Sequence, residues 1–215
     1  MFRLLTLVCL LAAFISVGYT ACAQEVVFED RFEGTLKPGW VWVRENSSCR
    51  RFVNNALEIL VEPFAEREAR NALVRPMSFF RWQNGRIDSS YRIETECFFT
   101  SKPQTQFQQC GVYWLQEERV IFKLVFENID GVTYVFPNKV PINSQGGRLR
   151  ITVNGHNIVA EFCGLNESSF RPVYEGRLDC GPNDKISLQC WNGPKQGSLP
   201  EQWARFRYFR VERLD

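Results

Sequence analysis

The chain has 215 residues, enough for one domain and a targeting segment, with 14% aromatic residues, eight cysteines and a single histidine. Its formal net charge is +2, with both signs mixed along the chain, which excludes the one-sided field of a nucleic-acid or anionic-membrane binder. One histidine, His156, excludes histidine-rich metal centres and argues against a Ser/His or Cys/His triad, and no glycine-rich phosphate loop is present.

Residues 1–23 read as a secretory leader: one early charge at Arg3, an apolar run from Leu4 to Val17, then the small residues Ala21-Cys22-Ala23. The run is too short for a membrane span. Cleavage near Ala23 predicts a secreted domain over residues 24–215. A second reading makes Cys22 the lipidated first residue of a cell-surface lipoprotein. Without the leader six cysteines remain, namely Cys49, Cys97, Cys110, Cys163, Cys180 and Cys190. In an exported domain an even count predicts up to three disulfides, with 15 possible connectivities. Cys97 with Cys110 is the preferred pair, because they end one strand and begin the next around the polar loop SKPQTQFQQ. The alternative, a metal site, lacks CxxC spacing.

Phe28 and Phe32 predict a core-directed first strand, and the turn Leu36-Lys37-Pro38-Gly39 precedes Trp40 and Trp42. Asn54-Asn55 is a turn before the strand Ala56 to Val61. The segment Glu66 to Arg70 reads as a short helical turn leading into the strand at Asn71 to Val74. Asn84-Gly85 turns the chain into Arg86 to Phe98, where Ile87, Tyr91 and Ile93 alternate with Arg86, Arg92 and Glu94, the pattern of a half-buried strand with a polar outer face. Three strands follow as a meander, at Gly111 to Leu115, Val120 to Glu127 and Val132 to Phe136, with Asp130-Gly131 as the tight turn. A hairpin over Arg148 to Val153 and Ile158 to Cys163 closes at Asn154-Gly155. After a loop come the strand Lys185 to Trp191 and the last strand, Ala204 to Leu214. About eleven strands and no substantial helix predict an all-β fold, a two-sheet antiparallel jelly-roll sandwich.

Five segments, FEDRFEGTLKPGWVWVREN, NNALEILVEP with ARNALVRP, CGVYW with VIFKLVFENIDG, GGRLRITVNGHNIVAEF and ARFRYFRVERL, span nearly all of the mature chain. In this order they resemble the concanavalin A-like lectin/glucanase superfamily. The nearest resemblance is to the family labelled "regulation of enolase" and to the C-terminal sandwich domain of β-xylosidases. It implies a jelly roll whose first and last strands pair, in an exported, carbohydrate-related setting. Six cysteines in the mature part depart from such relatives, which are usually poor in cysteine. The paired-glutamate run of the catalytic glucanases is also missing: in Glu94-Thr95-Glu96 no ExDxE pattern is present.

A sugar-binding face needs aromatic rings against sugar faces and polar side chains for the hydroxyls. The candidates are Trp42, Arg44 and Glu45 near the first loop, Arg70 and Asn71, and Tyr113, Trp114, Lys123 and Glu127 on the meander. Trp40 and Trp191 join the same pool, although large aromatics commonly fill sandwich cores. By strand parity Tyr113 and Trp114 point to opposite faces, so one is core and the other lies on the open face. The leading expectation is a non-catalytic glycan-binding module. Two others compete: a glycoside-processing enzyme pairing Glu45 with Glu127 or Asp88, and a structural protein that presents loops to partners. The expected partner is a glycan or polysaccharide, with no nucleic acid and no transmembrane segment. No cofactor is expected. A structural calcium near the paired termini would use Glu29, Asp30 and Asp215, whose spacing matches no calcium motif. Asn46-Ser47-Ser48 and Asn166-Glu167-Ser168 fit the N-glycosylation pattern, placing Asn46 and Asn166 as acceptors in a eukaryotic source.

Overall fold

The computed structural model describes residues 24–62, 71–193 and 201–215. The leader with Cys22, and the turn ending at Arg70, lie outside the described residues. In chain order the strands are β1 (Glu25–Asp30), β2 (Val41–Val43), β3 (Arg50–Phe52), β4 (Leu57–Leu60), β5 (Ala72–Pro76), β6 (Trp82–Gln83), β7 (Arg86–Ile87), β8 (Ser90–Phe99) and β9 (Gln109–Gln116). They continue with β10 (Arg119–Ile129), β11 (Val132–Phe136), β12 (Val140–Ile142), β13 (Gly146–Asn154), β14 (Asn157–Gly164), β15 (Arg171–Arg177), β16 (Lys185–Trp191) and β17 (Trp203–Arg213). The only helical element among the described residues is a 3-10 turn at Ser47–Cys49, capped by the Asn46 side chain.

The strands form two large antiparallel sheets that face each other. The back sheet has eight strands in the order β15-β14-β13-β8-β17-β4-β3, with β1 also paired to β17; the front sheet has seven, in the order β12-β11-β10-β9-β16-β5-β2. As expected, the first and last strands pair, Glu25 lying opposite Arg213 and Asp30 opposite Phe209. The strand β17 is long enough to hold β4 along one half and β1 along the other. The seventeen described strands exceed the expected eleven because β2, β3, β6, β7 and β12 have only two or three residues, too few for a period to show. The expected loop after Cys163 contains β15, in which Val173 alone is buried.

Alternation decides what each face receives. In β8 every second residue, Tyr91, Ile93, Thr95, Cys97 and Phe99, is buried, as the sequence pattern requires. The front sheet answers with Leu73, Val112, Trp114, Leu124, Phe126, Ile186 and Leu188 in the same core. Turn chemistry matches the sequence: Asn54 and Asn55 both adopt positive φ (51° and 53°) between β3 and β4, which asparagine tolerates better than most residues. At the open edge of the sandwich the buried Asp30 accepts hydrogen bonds from Phe32 N (2.9 Å), Lys37 N (2.8 Å) and Trp40 Nε1 (3.0 Å), fixing the first loop. The Trp40 ring thereby packs edge-on against Phe209, 5.1 Å between centroids.

The outer face of the back sheet is a charge lattice. Reading across β14, β13, β8, β17 and β1, register places Glu161, Arg150, Glu94, Arg210 and Glu29 in one row of alternating sign. Arg150 bonds Glu94 at 2.8 Å, and Arg205 and Arg51 both bond the buried Glu58. Such mutually neutralised neighbours suit a solvated surface.

Candidate functional site

The outer face of the front sheet has a different character. Parity places Ala72, Val74, Gln109, Gly111, Tyr113, Leu115, Lys123, Val125, Glu127, Ser187, Gln189 and Trp191 on this side. Ala72, Val74, Tyr113, Leu115 and Val125 form a second buried apolar cluster there, with Phe136 and Trp191 packed against it. Tyr113 is 2% exposed and Gln109 1%, so polar groups on this face are withdrawn from water.

A continuous polar network crosses it. Glu127 stands opposite Gln109, and Gln109 opposite Trp191, in neighbouring strands; Lys123 stands opposite Tyr113, and Tyr113 opposite Ser187. Tyr113 Oη donates to Gln109 Oε1 (2.7 Å), which also accepts from Lys123 Nζ at 3.3 Å. Lys123 Nζ reaches Glu127 Oε2 at 3.4 Å, and its ammonium lies 5.2 Å from the Phe136 ring centroid. Burial holds the Tyr113 hydroxyl well above the usual phenol range, against the hydrogen bond from Trp191 and with help from the Glu127 charge. Tyr113 is therefore a neutral donor at physiological pH. Beside it, Gln189 Nε2 donates to Ser187 Oγ (2.9 Å), which donates to Leu73 O (3.1 Å).

Among the described residues one atom in this network has no partner: Gln109 Nε2 is buried without a hydrogen bond, on the residue paired with Glu127 across the ladder. A buried donor left unmade costs about 1–3 kcal/mol. An incoming group that accepts from Gln109 Nε2 recovers that loss, and one that also donates to Glu127 satisfies both sides. A sugar hydroxyl is such a group.

The remaining expected residues fall elsewhere. Trp114 is fully buried in the sandwich, its Nε1 donating to Asp184 Oδ2 at 2.8 Å, so of the two neighbours it is the core residue and Tyr113 the outer one. Trp42 also faces inward, because parity in β2 gives the outer positions to the exposed Val41 and Val43; Arg50 stacks over its ring at 5.1 Å. Arg44 is exposed and holds φ 53° where β2 ends, beside the front face. Asn71 is structural: fully buried, it accepts from Asn46 N through Oδ1 (2.6 Å) and donates its own N–H to Arg44 O (3.2 Å), clamping the loop to β5. Glu45 bonds Arg50 Nε at 2.7 Å, on the edge of the back sheet, and Asp88 sits between β7 and β8. Neither faces Glu127, which is the one carboxylate among the residues of the front sheet's strands.

The cysteines and the residues considered for calcium are placed as follows. No disulfide joins the described cysteines, all of which are buried. Cys163 donates to Glu167 O at 3.1 Å and accepts from Arg148 at 3.1 Å, Cys180 lies by Gly155 O at 3.6 Å, and Cys49 accepts from Asn46 Nδ2 at 3.1 Å. Cys49 thus bonds within its own turn, whereas Cys163 also reaches Arg148 on β13 and Cys180 the turn at Gly155. For calcium, Asp30 has both oxygens bonded to N–H donors, Glu29 pairs with Arg31 at 2.8 Å, and Asp215 accepts from Ser90 N at the other end of the β1/β17 ladder. Among the described residues no group of three or more His, Cys, Asp or Glu side chains converges on a point that would hold a metal ion.

Gln109 lies outside the strand expected to begin at Gly111, although a glutamine four positions before Tyr113 shares its face. Ser187 and Gln189 were visible as polar residues alternating with Ile186, Leu188 and Cys190, and Trp191 continues their series. A separate groove of about 350 Å³ opens at one end of the sandwich, between Lys102, Asn128, Thr133 and Asn143.

No family model matches the sequence, and no curated protein is similar to it. Solved structures are similar in fold. A Bacteroides ovatus GH43B protein from a xyloglucan utilisation locus superposes with TM-score 0.61 at 11% identity, over 85% of this chain and 38% of that one. A CBM2 module of the evolved Dit protein of Lactobacillus casei BL23 phage J-1 gives 0.58 at 12% identity, over 88% and 95%. The catalytic domain of an endo-1,3-β-glucanase (laminarinase) from Thermotoga petrophila RKU-1 gives 0.53 at 12% identity, over 88% and 98%. The chain thus spans well under half of the GH43 protein, and the likeness is one of fold.

Proposed function

We propose that the chain is an exported or cell-surface lectin-like module that binds a glycan on the outer face of its front sheet without cleaving it. The observation that carries this reading is the buried Gln109 Nε2, unpartnered among the described residues, on the residue paired across the ladder with Glu127, so that a donor and an acceptor come from neighbouring strands of one withdrawn face. Lys123 supplies a second donor, and Trp191 and Tyr134 offer rings on either side. Trp191 on β16 and Tyr134 on β11 stand three strand spacings apart, about 14 Å, so the ligand is a linear chain of roughly three sugar units crossing the strands. Hydrolysis needs two carboxylates across the scissile bond, and the front strands supply one. The sandwich neighbours come from sugar-processing and sugar-binding proteins, which agrees with a carbohydrate ligand. Export rests on the leader-like first 23 residues, with the Cys22 anchor as its lipidated form. In a eukaryotic secretory route Asn166, on an exposed turn, is the better glycosylation acceptor, because the Asn46 amide caps the 3-10 turn.

A glycan-array screen tests the proposal, followed by titration of any ligand against Gln109→Glu and Lys123→Met. Gln109→Glu keeps the acceptor for Tyr113, removes the donor and adds a carboxyl opposite Glu127, whereas Lys123→Met removes the second donor without adding charge. Each change is expected to weaken binding at least tenfold, about 1.4 kcal/mol. Binding unaltered by both changes overturns the assignment of the site.

A further inference from the structure

Three of the buried cysteines belong together. Cys97 is on the inner face of β8 in the back sheet; Cys110 and Cys190 are on the inner faces of β9 and β16 in the front sheet, and all three lie in one core cluster, at most 1% exposed. Cys110 and Cys190 are opposite each other in the ladder. Their thiols nevertheless differ in direction. Cys190 Sγ lies 3.5 Å from Ile59 O and 3.6 Å from Leu60 O, turned to the backbone of β4, whereas the Cys97 thiol interacts with that of Cys110 across the gap between the sheets. Cys97 and Cys110 also flank the single connection between β8 and β9, so a bond between them closes a short loop and ties the two sheets at one point.

We propose that Cys97 and Cys110 are a modification site, oxidised during export to one disulfide that staples the two sheets, with Cys190 left as a thiol. The reaction is a thiol–disulfide exchange with a low-molecular-weight disulfide such as oxidised glutathione, or with a disulfide-carrying oxidoreductase of the same chemistry. One cysteine thiolate attacks the oxidant's S–S bond, forming a mixed disulfide and releasing one thiol. The second thiolate displaces the other half, so the two electrons and two protons leave as two oxidant thiols. Burial sets the timing. No oxidant reaches sulfurs that are at most 1% exposed, and burial raises the Cys97 and Cys190 thiols well above their usual range, so little thiolate is available for exchange in the native state. The bond therefore forms before the sandwich closes, and thereafter neither exchanges nor is reduced without unfolding. This inference rests on export and is independent of the sugar reading.

The test is a disulfide map of the full chain, secreted with its own leader and, in parallel, folded in a buffer of reduced and oxidised glutathione. The chain is unfolded in an alkylating agent without reductant and digested. The expected result in both arms is one cross-linked peptide pair joining Cys97 to Cys110, two fewer alkylated cysteines than in the reduced control, and an alkylated Cys190. Cys190→Ala leaves the cross-link in place, and Cys97→Ala removes it without creating a Cys110 to Cys190 bond. Full alkylation of Cys97 and Cys110 in both arms, or a Cys110 to Cys190 link in the wild-type chain, overturns the proposal.

Discussion

Replacing Tyr113 by Phe removes one oxygen and leaves the ring, so it isolates the polar network from the apolar packing around it. In the native protein that hydroxyl donates to Gln109 Oε1 at 2.7 Å and accepts from Trp191. Its loss leaves Gln109 Oε1 with only the long 3.3 Å contact to Lys123, and strips the Trp191 N–H of its acceptor. Removing one partner of a buried hydrogen bond costs about 1–3 kcal/mol. Trp191 is partly exposed and its N–H can recover a water, so the expected cost is at the lower end, about 1–2 kcal/mol. For a domain of this length that lowers the thermal midpoint by roughly 2–8 °C. Reversible urea denaturation of wild type and variant in reductant measures it, through the midpoint at unchanged slope. Glycan affinity should fall three- to tenfold with it, because the Gln109 amide loses the contact that orients it; this makes Tyr113 a positioning residue. A variant as stable as wild type, with unchanged affinity, refutes the reasoning that the network is preorganised.

Two further outcomes follow from groups outside this face. Asp30→Ala orphans the N–H donors of Phe32, Lys37 and Trp40 at once and should destabilise the fold by about 3 kcal/mol, with Asp30→Asn near half of that, since one acceptor oxygen remains; urea denaturation separates the two. The Cys180 thiol is pushed up to about 11 by burial and by the nearby Asp184 charge. A raised thiol stays protonated, so native alkylation of Cys180 at pH 8 should run about a hundredfold below that of an exposed cysteine and accelerate as pH climbs toward 11. Labelling followed by peptide mass analysis reads the rate; fast labelling at pH 8 contradicts the burial argument.

The strands with long alternating runs were legible in the sequence. In β8 and β10 one face is committed to the core, so a period of two is imposed on the residues themselves. The short strands were not, since β2 and β3 are defined by their partners across the ladder rather than by their own three residues. The site was legible in part. Lys123, Glu127 and Tyr113 share a parity and were brought together as expected, whereas Trp42 followed the inward parity of its strand. Trp114 and Tyr113 could be separated by parity into opposite faces, but which face was core depended on the register with β16, where Ile186 meets Trp114 and Ser187 meets Tyr113. Gln109 was hidden by the placement of one strand end. The role of Asn71 depended on a tertiary bond to Asn46, 25 positions away, for which no local pattern exists.

The most direct measurement is a crystal structure with a linear oligosaccharide of at least three units, chosen from the glycan array. The expected result is sugar density across the outer face of the front sheet, a hydroxyl bonded to both Gln109 Nε2 and Glu127, and sugar rings reaching from Trp191 toward Tyr134. Sugar seated instead on the charge lattice of the back sheet, or in the end groove by Lys102 and Asn143, contradicts glycan binding by the front sheet.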